Sequence, residues 1–240
     1  MTAVVISQPM YFPWVGFMAQ LALADVLIWL DDAQFSKGSF TNRVQVKHIS
    51  GVKWMTIPQI RNVSFPRIMD LGLPEADIFQ AHRSLLSQSL HSRPFRDQAL
   101  ALFEQATASG SLVDRLMAST EIIAQHWQIV PPRILRSSCL AAGGTSWERV
   151  LELVKRVGGT RYITGHGAAN YLRHEAFEEN GIGVEYMVYA PLPWAQGEGA
   201  FTPYVANLDL CASVDADAAR HHLCPATVNW KEFMERRQCP

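Results

Sequence analysis

Ala3-Val4-Val5-Ile6-Ser7-Gln8-Pro9-Met10-Tyr11-Phe12-Pro13-Trp14-Val15-Gly16-Phe17, with Asp25-Val26-Leu27-Ile28-Trp29-Leu30-Asp31-Asp32 shortly after it, decides the fold class. Each of the two segments holds an apolar, β-branched-rich run that ends in a polar loop or joins one. Ala3 to Ser7 predicts a strand, Val15 to Leu23 a helix that is apolar on most faces, and Asp25 to Leu30 a second strand. A strand, loop, helix and strand in that order normally give two parallel strands joined by a right-handed crossover. Ligands of α/β domains bind at strand ends. The loop bearing Gln8, Tyr11, Trp14 and Gly16 and the loop bearing Asp31, Asp32, Gln34, Lys37, Asn42 and Arg43 therefore read together as a site.

Outward from this unit, Val44 to Lys47 and Trp54 to Pro58 predict a hairpin about the Ser50-Gly51 turn, with Val44 and Val46 on one side and Gln45 and Lys47 on the other. Residues 77–109 turn helical, with a break at Arg93-Pro94, and Leu112 to His126 is a further amphipathic helix burying Leu116, Ile122 and Ile123. Pro131-Pro132 ends this helical stretch. Arg133 to Ser137 predicts a strand, Ser146 to Val157 a helix capped by Ser146, Arg161 to Thr164 a strand, Ala168 to Asn180 a helix and Val184 to Tyr189 a strand. The expected architecture is a single α/β domain over 1–240: a mixed, largely parallel sheet flanked by helices, with an α-helical lobe inserted at about 77–128.

With 240 residues, 48% of them hydrophobic and 18% charged, the chain can bury a substantial core. A formal net charge of -1 gives no overall pull toward nucleic acid or an anionic membrane surface. No apolar run approaches the roughly 18 residues a spanning helix needs, and Met1 to Gln8 lacks a leader pattern, so a cytoplasmic protein is expected. Cys139, Cys211, Cys224 and Cys239 show no CxxC spacing and are expected to be reduced thiols. Cys211, His221, His222 and Cys224 have the residue types of a zinc site without its spacing, so no metal is expected.

Several side chains have the chemistry of a site and also a purely structural reading. Tyr11 and Trp14 pair a flat face with a polar atom, which suits a sugar ring, an adenine base or an interface. The Gln8 amide can bind a ligand or satisfy loop backbone. Asp31 and Asp32 are adjacent after a strand and are expected to face opposite ways, so that one enters the site. A carboxylate beside Lys37 or Arg43 could orient an amine and take its proton, or hold the loop as an ion pair. Arg43 offers a planar fork of donors to phosphate or carboxylate, Lys37 a point charge. Lys47 reads as a solvated strand position. Thr164-Gly165-His166-Gly167 leads from a strand into a helix, a tight turn that can also present amides to an anion. His166 could act as a base near pH 7 or be merely solvated, and His82 reads either as a site residue or as packing against the sheet.

Gln8-Pro9-x-Tyr11-Phe12-Pro13-Trp14-x-Gly16-Phe17, Asp31-Asp32-x-Gln34-Phe35-x-Lys37, Asn42-Arg43 and Trp54-x-Thr56-x-Pro58 together resemble the WbqC-like protein family. Weaker likenesses run through His82, Ser137-Ser138, Ile163-Thr164-Gly165 with Tyr171-Leu172, Gln196, Phe201-x-Pro203-Tyr204 and Asp209. His166 and Asn207 depart from the family's pattern. The resemblance implies a transferase of bacterial surface-polysaccharide (O-antigen) biosynthesis that places glycine or another acyl group on an amino sugar. It implies no bound cofactor, an acyl-CoA or acyl-carrier thioester donor, and a sugar nucleotide or similar small amine as acceptor. On that reading Asp32 or His82 manages the proton, and Gln8, Asn42, Arg43 and Lys37 orient or hold substrate. Tyr11, Trp14, Asp31, Gln34, Gly165, His166, Tyr171, Gln196 and Asp209 complete the expected binding set. The same layout leaves open an adenylating enzyme, although the His-x-Gly-His signature of the nucleotidyltransferases is missing, and a carbohydrate- or peptide-binding protein stacking its ligand on Tyr11, Trp14 and Trp194.

Overall fold

The computed structural model describes residues 1–58, 65–74 and 76–238, which leaves Cys239 outside the described residues. β1 (Ala3–Ser7), α1 (Val15–Leu21) and β2 (Val26–Trp29) form the expected unit, with β1 and β2 parallel and Val4 opposite Val26. All seven residues of α1 are buried, as its unpatterned apolar sequence requires. β3 (Arg43–His48) and β4 (Gly51–Thr56) pair antiparallel as a separate two-stranded sheet, turning at Gly51, whose φ of 106° is costly for a side-chain-bearing residue.

Helices α2 (Ile78–Ser89), α3 (Arg96–Thr107) and α4 (Leu112–His126) follow. Ser111 and Asp114 cap α4 reciprocally, satisfying donors that its first turn would otherwise leave unpaired. β5 (Arg133–Arg136), α5 (Ser146–Arg156), β6 (Arg161–Thr164), α6 (His174–Glu179) and β7 (Gly183–Val188) complete the alternation. Beyond it lie α7 (Asn207–Ser213), α8 (Ala216–His221), β8 (Ala226–Asn229) and α9 (Trp230–Gln238).

The main sheet has the order β5-β2-β1-β6-β7-β8, parallel except for β8, which runs against β7. Alternation along its strands feeds two cores. Ala3, Val5, Leu27, Trp29 and Ile163 share one core with α1, α3, α4 and α7 residues such as Met18, Phe103, Ile123 and Leu210. Val4, Val26, Ile28 and Tyr162 share the other with Leu153, Phe177 and Phe233 of α5, α6 and α9. The sheet is thus wound on both faces. Helices α2–α4 join the first core rather than forming one of their own.

Two local expectations are corrected. Thr145, not Ser146, occupies the cap position of α5, with no side-chain capping bond, and Ser146 opens the helix at φ 52°, in the left-handed region. The helix expected over Ala168 to Asn180 is a 3-10 turn, His166–Asn170, and a separate α6; the interruption lets Leu172 enter the core while Tyr171 stays 43% exposed.

Candidate functional site

From β1 the chain crosses by α1 to β2, and from β6 it leaves in the opposite direction to β7. The loops after β1 and β6 therefore diverge and open a crevice at the carboxyl ends of the strands, where doubly wound sheets take ligands. The loop after β1 is pinned from outside. Phe12 N donates to Ser119 Oγ on α4 (2.9 Å), and the Phe12 ring stacks on Phe103 at 5.2 Å. These contacts hold Phe12 at φ 44°, a conformation a bulky residue rarely adopts.

Two cavities lie along the crevice and share Met10. The first, 410 Å3, is lined by Met10, Trp14, Gly16, Phe17, Gln20, Gly165, His166, Met187, Tyr189, Pro191, Pro203 and Tyr204. Trp14 sits between Tyr189 and Tyr204, with ring centroids 5.6 and 5.5 Å away. Its indole lies so close over Gly16 that a Cβ there would overlap it. Tyr189 donates to the His222 carbonyl (3.0 Å), and burial pushes its phenol up to about 12, so it enters this wall uncharged. His166 Nε2 lies 2.8 Å from the Met187 carbonyl. A carbonyl only accepts, so Nε2 carries a proton and Nδ1 of the neutral ring is the basic nitrogen.

The second cavity, 340 Å3, is lined on the other side by Ile6, Ser7, Gln8, Met10, Leu30, Ser39, Phe40, Thr41, Val150, Tyr162 and Tyr171. Asp32 belongs to the turn that follows Leu30. It accepts from Ser137 Oγ at 2.5 Å and pairs with Arg149, the neighbour of Val150, and its side chain keeps 16% exposure. Asp31, expected to face the other way, turns to the same Ser137 hydroxyl (3.2 Å) because the extended backbone ends at Trp29. Fully buried, it accepts from Ser138 N (3.0 Å) and Ser138 Oγ (2.7 Å), so it anchors β5 to β2 and is closed to substrate.

Other expected site residues lie elsewhere. Tyr11 is fully buried, its hydroxyl 2.9 Å from His82 Nδ1, and Trp194 is 7% exposed, so neither offers a stacking face. His82 lines neither cavity; burial lowers its pKa to about 4. Arg43 is taken up by the Gly38 carbonyl (2.9 Å) and the face of Trp54 (4.3 Å), and Asn42 by Ile57 O and Gly38 N. These residues fold their loop. Gln34 and Lys37 are exposed on it, Gln34 in a β-bridge with Arg67. Gln196 closes the following glycine loop by bonding Thr202 through both amide atoms (2.8 and 2.9 Å). Asp209 is buried at the start of α7, where Trp194 Nε1 donates to it (2.6 Å) and burial pushes its carboxyl up. Lys47, read as a solvated position, is 7% exposed under that glycine loop.

Crevice residues that the sequence reading did not single out include Met10, Gln20 and Tyr189. Tyr204, quoted only within a motif, joins them. Among the described residues, no group of three or more His, Cys, Asp or Glu side chains is placed to hold a metal. No helix among them is long and apolar enough to cross a membrane.

Fold and crevice together define a doubly wound α/β protein with its candidate site at the topological switch point. The chain belongs to the WbqC-like protein family, whose family model matches residues 8–221. An uncharacterized protein of Mycobacterium tuberculosis is 28% identical over 225 residues, covering 91% of this chain and 96% of that one. No solved structure matches the chain.

Proposed function

We propose that the protein is an acyltransferase that joins an acyl or aminoacyl group to the amine of a small metabolite such as an amino sugar nucleotide. The observation that carries this reading is the pair of unlike cavities meeting at Met10, one aromatic and one more polar, which suits two substrates held end to end. Direct transfer needs the two reacting groups in contact, a base for the amine proton, fixed donors for the negative charge on the carbonyl oxygen, and release of the thiolate as the C–N bond forms and the C–S bond breaks. His166, in the aromatic cavity with a basic Nδ1, takes the role of proton acceptor. Asp32, held by Ser137 and Arg149 on the turn that follows Leu30, a lining residue of the polar cavity, orients the amine. The deeply buried Cys211, whose thiol burial pushes up, has no nucleophilic role in this scheme.

Amide formation between nucleotide-linked amino sugars and acyl-CoA donors tests the proposal, with His166→Gln and Asp32→Asn as variants. Each should lower turnover at least ~100-fold, the typical contribution of a positioned acid or base, while the thermal shift given by the substrates persists. Turnover equal to wild type in both variants would sink the assignment. Trp14, Tyr189 and Tyr204 also favour a second reading, a sugar-binding protein. Stabilisation by simple sugars with no amide product in any donor combination would select it.

A further inference from the structure

The largest of the described cavities, 690 Å3, shares no lining residue with the crevice. It lies between the end of β3, the α2–α3 connection and the Gln196–Glu198 loop. Lys47, His48, His91, Arg93 and Arg96 line it, against one carboxylate, Glu198. Its two deepest cations are each only 7% exposed. The Lys47 ammonium donates to the Ala200 carbonyl and forms no ion pair within 4 Å among the described residues. Arg93 donates to the Ala195 carbonyl and faces Asp209 Oδ2 at 3.7 Å, beyond hydrogen-bond range, and that oxygen has no hydrogen-bond partner. Of the two buried cations, only Arg93 thus has a carboxylate within 4 Å among the described residues, and Lys47 has none. Burying charge in such an excess is unfavourable unless an anion completes the set.

We propose that this cavity binds the phosphate groups of a phosphorylated metabolite, with Lys47 and Arg93 beneath them and Arg96 and His91 at the rim. The positive charges come from two separate chain segments, residues 47–48 and 91–96, which suits the spread oxygens of a diphosphate better than a single carboxylate. The covering loop turns at Gly197 and Gly199, whose φ of 75° and 82° favour glycine and which lie over Arg93 and Lys47. The volume falls in the range of about 300–1,000 Å3 usual for small-molecule sites. The assignment does not depend on the acyl-transfer reading.

Calorimetric titration of the full chain with inorganic pyrophosphate at fixed ionic strength tests it. The wild type should bind at one site, and Lys47→Met should weaken binding by about tenfold or more through loss of a charge-assisted contact. Arg96→Ala, at the partly exposed rim where folding is not at stake, should weaken it as well, whereas Asp32→Asn should bind like wild type because Asp32 does not line this cavity. No binding by the wild type, or undiminished binding by Arg96→Ala and by folded Lys47→Met, overturns the proposal. Displacement of pyrophosphate by uridine diphosphate would identify a sugar nucleotide as the source of the phosphates, and displacement by coenzyme A a thioester donor. Displacement by neither would overturn assignment to these metabolites.

Discussion

His82 owes its low pKa to place, since burial penalises the imidazolium by more than the Thr56 backbone bond, which acts to raise the value, restores. A neutral histidine in the folded state beside an ordinary one in the unfolded chain couples stability to pH. Between about 4 and 6.5 the unfolded chain binds more protons, so the stabilisation is full above 6.5 and is lost as pH falls toward 4. The gap corresponds to roughly 3 kcal/mol as an upper figure. His126 and His174, also lowered by burial, act in the same direction. Thermal melts at pH 7 and pH 4.5 should show a clear fall for the wild type and a smaller one for His82→Gln; equal falls would place the sensitivity elsewhere. At this scale the sequence was only partly legible. Residue type showed that Asp31, Asp32, Arg43 and Lys47 carry charge, but whether each faces substrate depends on partners over 100 residues away, as with Ser137, Ser138 and Arg149, or on a loop folding over it, as with Lys47.

Elements with a clear period were legible, and those without one were not. The alternation of β3 and the amphipathic stripe of α4 led to their positions, and α4 spans the range its pattern predicts. α7 has all seven residues buried, Asn207 and Asp209 among them, so it shows no apolar face, and polar residues within it disguise its depth. α1 is buried as completely, but its position between two obvious strands revealed it. Its glycine has a specific task. Gly16 leaves room for the Trp14 indole, which forms the aromatic wall of the crevice. Alanine would favour the helix by up to about 1 kcal/mol yet would overlap the indole and push it aside. Gly16→Ala should therefore fold with stability within about 2 kcal/mol of wild type while losing response to ligands of the aromatic cavity. Near-UV circular dichroism and thermal shift measure the two effects, and an unchanged ligand response would show that Trp14 does not shape that cavity.

For the whole molecule, strand order locates chemistry more firmly than any one motif does. The first two strands could be paired from sequence alone, but β6 arrives beside β1 only after more than 130 intervening residues, so the crevice is a product of topology. Met10, an apolar and partly buried residue with no chemistry of its own, becomes central because it stands where the two cavities meet. Met10→Trp would fill that junction with a rigid ring at a cost of about 1–3 kcal/mol, and Met10→Leu, similar in volume, would leave it open. If one reaction spans both cavities, Met10→Trp should impair the apparent affinity for donor and acceptor together and depress turnover, with Met10→Leu close to wild type. Two-substrate steady-state kinetics separates the cases: an effect on one substrate alone would mean that the reaction uses a single cavity, and normal kinetics would remove the crevice from the mechanism.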